Sequence, residues 1–278
     1  MSWRGRVVVR RVGNAVITVL ICLAAMVPIL WGLSTSLKPA DQILEYPPRV
    51  IPTEPTIEHY RSLFRTGILQ YVFNSAVVSA FAVGLCVVVG ALAAYAFARF
   101  EFRFKTALTF GIVAIMSIPL PSLIVPTFTL LALLGLTNTL AGLVILYTAY
   151  QLPMTVWILY GYFHAIPTQF EQAAMLDGYS RLEALRLVVL PLSWPGLIAA
   201  GLFVLTFAWN DFVVAVAMNS SDAVRTLPVA IYNYLGFFGR EWGPLMAAAM
   251  LSVVPVIVVF VVFQRYFLSG MTSGGLKG

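Results

Sequence analysis

The sequence predicts an all-α integral membrane protein with six spanning helices. Three observations carry this. Hydrophobic residues make up 60% of the chain and charged residues 10%, at a mean hydropathy of +0.92, where a soluble domain usually carries about 25% charged residues. The apolar residues fall into six long runs separated by short polar segments. The basic residues stand singly or in small groups near the ends of those runs, so the net charge of +6 reads as a topology signal and argues against a nucleic-acid partner.

Arg4, Arg6, Arg10 and Arg11 precede the first run, residues 12–37. A secretory signal peptide is the competing reading. The apolar core is too long for one, and no small-x-small cleavage site follows. The run is long enough for a ~30 Å hydrocarbon core at about 1.5 Å per residue. Residues 38–69 then carry four charges of each sign among Pro39, Pro47, Pro48, Pro52 and Pro55, which reads as an extended extracytoplasmic loop, with Ile57 to Phe64 as a short interfacial helix.

The second span is expected over 70–98, where Gly84, Gly90 and several alanines either admit a neighbouring helix or simply face lipid. Arg99, Glu101, Arg103 and Lys105 form a short basic loop. The third span, 106–134, contains Pro119, Pro121 and Pro126, so it is expected to be kinked or broken and to face protein. The fourth is 139–163. The fifth and sixth are 192–217 and 243–267, on either side of a second outside loop, 218–242, with Tyr232, Phe237 and Phe238. A Gly-rich tail closes the chain. This count puts both termini in the cytoplasm. The segments assigned inside, 1–11, 99–105, 164–191 and 265–278, hold 11 of the 17 basic residues, as cytoplasmic loops tend to.

Between the fourth and fifth spans lies a polar-punctuated island, Pro167 to Pro191. Thr168 with Glu171 fits a reciprocal helix cap, and Ala173, Ala174, Met175 and Leu176 favour helix. Asp177-Gly178 breaks it, because Gly accepts the left-handed conformation that ends many helices. Ser180 with Glu183 repeats the capping pattern, Leu182, Leu185, Val188 and Val189 give the second helix an apolar side, and Pro191 is expected to close the island.

The chain shows no phosphate-cradling Gly-rich loop with its Lys, no dinucleotide fingerprint, no zinc-protease helix and no nucleophile elbow. Cys22 and Cys86 sit in apolar runs and behave as small hydrophobes; Ile21 before Cys22 argues against a lipid anchor. His59 and His164 are isolated, so no metal site is expected. Uphill movement of a solute would draw its energy from another subunit or an ion gradient.

Asp211, in LTFAWNDFVVAV, is the carboxylate that stands inside an apolar run. Such a group costs at least ~2.5 kcal/mol in a membrane and should face protein or a wet cavity. With Trp209 and Asn210 it has the chemistry to bind a polyhydroxylated ligand; the alternative is a structural tie that caps or cross-links helices. Tyr147, Tyr150 and Gln151, mid-span beside Pro153, form a second polar-aromatic set, either cavity lining or part of the aromatic belt. Asn74, near the outer start of the second span, is a further candidate.

The island resembles the EAA loop of permease subunits in binding-protein-dependent ABC importers. Gln172-Ala173-Ala174, then Gly178, then Val188-Val189-Leu190-Pro191 keep the spacing of that pattern, with Gln172 where the family has Glu and Tyr179 where small residues are common. Ser36-Leu37-Lys38-Pro39, Ala208-Trp209-Asn210-Asp211 and Gly270-Met271-Thr272-Ser273-Gly274 are also similar to the carbohydrate-uptake, maltose-permease G-type subfamily. The resemblance implies the type I importer permease fold in a bacterial inner membrane, pairing with a second homologous permease, an extracytoplasmic solute-binding protein and two ATP-binding subunits. ATP and Mg would sit on those subunits, with no cofactor and no enzymatic activity in this chain. It further implies that Glu171, Gln172, Ala173, Ala174, Asp177 and Gly178 form the contact with the ATPase, with Glu171 and Asp177 supplying charge, and that loop 218–242 meets the binding protein. The implied substrate is a disaccharide or oligosaccharide. The other readings are a glycerol-phosphate compound as solute, a proton-coupled secondary transporter using Asp211, and a membrane enzyme acting on lipid-linked sugars; the last lacks any cluster of acid, base or metal ligands.

Overall fold

The computed structural model describes residues 3–235 and 241–274, with backbone alone for 3–12 and 265–274. The described residues are helical and contain no strand. Four helices are long and apolar enough to cross a bilayer: α1 (Trp3–Ser36, apolar over Gly13–Ser36), α4 (Ile68–Arg99), α7 (Leu140–Ala165) and α14 (Trp242–Gly274, apolar over Trp242–Gln264). Two helix pairs, each bent at a short break, pass the same test only when taken together: α5 (Lys105–Met116) with α6 (Leu120–Leu133) at 102°, and the segment Arg181–Leu192 with α11 (Trp194–Asn210) at 79°. The count reaches six when each bent pair is one span.

The expected break in the third run falls at Pro119, which stands in extended conformation before α6. Its fixed φ and missing N–H suit the start of a helix rather than its middle. The broken span faces protein along one side: α5 has no fully buried residue and α6 buries Leu131, while Ile112, Leu120 and Ile124 pack against the cores formed with α4, α7 and α11. The fifth run is interrupted as well. Helix α11 ends at Asn210 and α12 (Val213–Met218) follows after Asp211 and Phe212.

The chain forms two compact units. The first joins residues 1–68 with 231–254. Its α1 is only 6% buried over its apolar window, a surface stable in lipid rather than in water. At Gly32 an added Cβ would meet Met250 at 2.9 Å. The turn after α1 is a hub: the buried Lys38 donates to the Arg49 carbonyl at 2.5 Å, the Ser36 and Tyr60 hydroxyls share a 2.8 Å hydrogen bond, and His59 bonds the Lys38 carbonyl at 2.8 Å. Residues 38–69 are therefore tied down, with short helices α2 (Ala40–Ile43) and α3 (Glu58–Arg65), although Leu44, Tyr46 and Ile51 stay exposed.

The second unit, residues 69–230 with 255–278, holds two apolar cores. One gathers Val78, Ala82 and Cys86 of α4, Leu143, Leu146 and Tyr147 of α7, Val204 and Ala208 of α11, and Val214 and Met218 of α12. The other gathers Ala94 and Tyr95 of α4, Leu159 and Phe163 of α7, Ala200 of α11, and Leu185 and Val189 of the intervening turn. Gly90 brings α4 against α7: a Cβ there would sit 2.6 Å from the Thr155 methyl, the close approach expected of small residues. Gly84 meets nothing within 4 Å.

Loop 218–242 divides. Its first part packs into the second unit through α13 (Leu227–Tyr232), where Leu227, Val229 and Ala230 are buried. Phe237 and Phe238 lie outside the described residues. The expected tail is helical through Gly274 as the continuation of α14.

Candidate functional site

The island folds as two short helices on a turn, as its residues dictate. Helix α8 (Gln169–Leu176) ends at Asp177, and Gly178 follows at φ +95°, the left-handed geometry that glycine accepts freely. Ser180 then caps α9 (Arg181–Ala184): its hydroxyl accepts from the Glu183 N–H at 3.3 Å while the Glu183 carboxylate accepts from the Ser180 N–H at 2.7 Å. The Ser180 hydroxyl and backbone N–H hold the Glu183 carboxyl below its ordinary pKa.

Three expectations about this segment are corrected. Thr168 makes no cap hydrogen bond, being itself helical at φ −64°, ψ −19°. Its supposed partner Glu171 turns inward instead. The Glu171 side chain is 6% exposed and its oxygens accept from Arg99 Nε at 2.5 Å and from the Tyr95 hydroxyl at 2.8 Å. A charge-assisted bond to a guanidinium in an apolar pocket outweighs a cap at the surface. Glu171 is therefore not a charge offered to a partner subunit. Pro191 does not close the island: the helix continues through α10 (Leu190–Leu192) and bends after Ser193. A π-helical turn over Leu185–Val189 precedes it, widening the backbone where the proline ring would press on the carbonyl four residues back. Leu182, assigned to an apolar inner side, is 66% exposed.

Gln172, Ala173, Asp177 and Gly178 are exposed and Ala174 is half-buried. Around them Phe170, Leu176, Tyr179 and Leu182 also lie open. The capped helix–turn–helix thus presents an exposed apolar set rimmed by polar groups.

The second constellation surrounds Asp211. Its carboxylate accepts from the Tyr147 hydroxyl at 2.8 Å and from the backbone N–H of Ala215 at 3.0 Å and Val214 at 3.4 Å. It thus caps α12 and ties it to α7, and the structural reading of Asp211 prevails over the path-lining one. Asn210 is exposed and donates back to Thr206. Trp209 is buried and lines an apolar cavity of about 730 Å³ with Tyr162, Phe203, Phe207 and Phe260; Asp211 does not line it. The three residues do not form one polyol site. The Tyr150 hydroxyl bonds Thr127 of α6 at 2.9 Å, and Gln151 is buried in α7.

Asn74 is also corrected. It is 1% exposed, its amide donates to the carbonyls of Ala223 and Arg225 at 2.9 and 2.8 Å, and its oxygen accepts from Gln70 at 3.0 Å. It staples the segment before α13 and is shut away from a solute by burial. Among the described residues no group of acids, cysteines and histidines is placed to hold a metal. Arg99 and Tyr95 are the residues that sequence reasoning missed: Arg99 reads as one more basic residue at a span end.

The long apolar helices and the exposed helix–turn–helix define an integral membrane protein with a polar, helical segment between its spans. Residues 86–273 match the family model described as binding-protein-dependent transport system inner membrane component, and the chain belongs to that family. It is similar to the sulfoquinovosyl glycerol transport system permease protein of Agrobacterium fabrum, at 38% identity over 90% of this chain and 88% of that one. It is also similar to the trehalose transport system permease protein of Mycobacterium tuberculosis, at 37% identity over 95% and 97%. The fold matches a chain of a bacterial ABC transporter involved in the import of alginate, with a TM-score of 0.82, 22% identity and coverage of 96% and 99%. The protein is the transmembrane subunit of an ABC importer, a transport component whose ATPase is a separate subunit.

Proposed function

We propose that this subunit imports a carbohydrate, a disaccharide or oligosaccharide, together with a second homologous permease. Two ATP-binding subunits carrying ATP and Mg drive it, and an extracytoplasmic binding protein delivers the sugar. Relatives named for trehalose transport and for sulfoquinovosyl glycerol transport support the substrate class. In this reading both termini and the island at 167–191 lie in the cytoplasm.

The observation that carries the mechanism is the exposed module of Gln172, Ala173, Asp177 and Gly178. Ala173 and Ala174 let a partner approach the helix closely, Gly178 makes the turn, and Asp177 supplies charge. ATP-driven closure of the ATPases rocks this module and with it the permease pair between inward- and outward-facing states. Sugar contact in this reading falls to Asn210, which is open, with Tyr150 holding the neighbouring helix through Thr127.

The test is Gly178→Asp in the complete transporter. The variant is expected to insert and pair with its partner permease but to lose ATPase association and uptake. Normal ATPase association and normal sugar uptake in that variant would overturn the docking role.

A further inference from the structure

The island is covalently continuous with α7 on one side and α11 on the other, so any force applied to it reaches those two helices through the backbone. Helix α4 has no such link: Arg99 lies 72 residues from Glu171. The two are joined by side chains alone. Arg99 reaches Glu171 at 2.5 Å and the Ile166 carbonyl at 2.9 Å, and Tyr95 reaches the other oxygen of the same carboxylate at 2.8 Å. Both charged side chains are almost wholly enclosed, at 7% and 6% exposure. Two aromatic contacts reinforce the joint: Tyr95 meets Phe100 edge-on at 6.1 Å, and the Arg181 guanidinium of α9 lies 5.2 Å from the Phe100 ring.

We infer that Tyr95, Arg99 and Glu171 are positioning residues forming the joint that makes α4 move with the coupling module. The inference rests on the coupling role proposed above. The paired charges resist separation, because pulling them apart would leave each buried without compensation. The guanidinium fork spans the helix α8 acid and the carbonyl at the end of α7, so it fixes the angle between α4, α7 and α8 rather than one distance. Gln172, which departs from the family pattern, is exposed and takes no part in this joint.

The experiment uses the complete transporter in proteoliposomes, with Glu171→Gln, Arg99→Gln, Arg99→Lys and Tyr95→Phe. The readout is sugar imported per ATP hydrolysed, alongside subunit stoichiometry and thermal unfolding. Glu171→Gln and Arg99→Gln are expected to keep the subunits together while the import-to-hydrolysis ratio falls about fivefold or more, the size of an ordinary coupling energy. Arg99→Lys is expected to recover part of the ratio and Tyr95→Phe to lower it least. If Glu171→Gln or Arg99→Gln fails to assemble, Tyr95→Phe decides. Wild-type ratios in every assembled variant would overturn the joint. Gly178→Asp separates the two ideas: if it abolishes uptake while the joint variants keep the wild-type ratio, only the joint fails; if it too has no effect, the coupling role fails.

Discussion

Two carboxylates lie in apolar surroundings of the second unit and are handled differently. Glu171 has a cation, Arg99, and a phenol. Asp211 has no cation within ion-pair distance among the described residues; a phenol and two backbone N–H groups hold it. The partners define the roles. A charge answered by a charge from a distant helix couples elements that the chain does not connect. A charge answered by N–H groups three and four residues onward shapes its own backbone, restarting a helix that would otherwise end at Asn210. The first is a device between elements and the second a local one that also borrows Tyr147.

The comparison breaks most sharply at Arg99. Arg99→Met leaves the Glu171 carboxylate uncompensated, and a loss of about 3–5 kcal/mol is expected, read as a large fall in the thermal unfolding midpoint in detergent. Asp211→Ala is expected to cost about 2–3 kcal/mol, from a lost cap and a phenol left without its acceptor, with Tyr147→Phe costing less; an unchanged midpoint for Asp211→Ala would remove the structural reading and return Asp211 to the solute path. Asn74→Ala, which orphans two carbonyls, is expected to cost about 1–2 kcal/mol and to raise amide exchange over residues 223–230 ahead of the rest of the unit.

The smallest expected effect belongs to the exposed Glu183. Its pKa is lowered in the folded protein by Ser180, so its contribution is present above the ordinary carboxylate pKa of about 4.3 and disappears as pH falls through the lower folded value. Amide protection of α9 should therefore weaken only in strongly acidic buffer, and Glu183→Gln should show no such dependence.

What the sequence made legible follows the same division. Gly178 at positive φ, the Ser180–Glu183 cap and the break at Pro119 are local rules, each decided within four residues. The misreadings are cases where a distant partner outweighs a local pattern. Thr168 and Glu171 have the spacing of a cap, but the acid goes to Arg99. Asn74 reads as a candidate for solute in the sequence, since its acceptors are backbone carbonyls 149 and 151 residues away and a carbonyl has no letter there. Asp211 carried both readings, and only the positions of Tyr147 and Ala215 decide between them.

The most direct test of the whole account is uptake of radiolabelled disaccharide by proteoliposomes containing the complete transporter and its binding protein, with and without enclosed ATP, and with and without a proton uncoupler. Uptake that requires ATP and ignores the uncoupler is the predicted result. Uptake that persists without ATP and collapses with the uncoupler would contradict it.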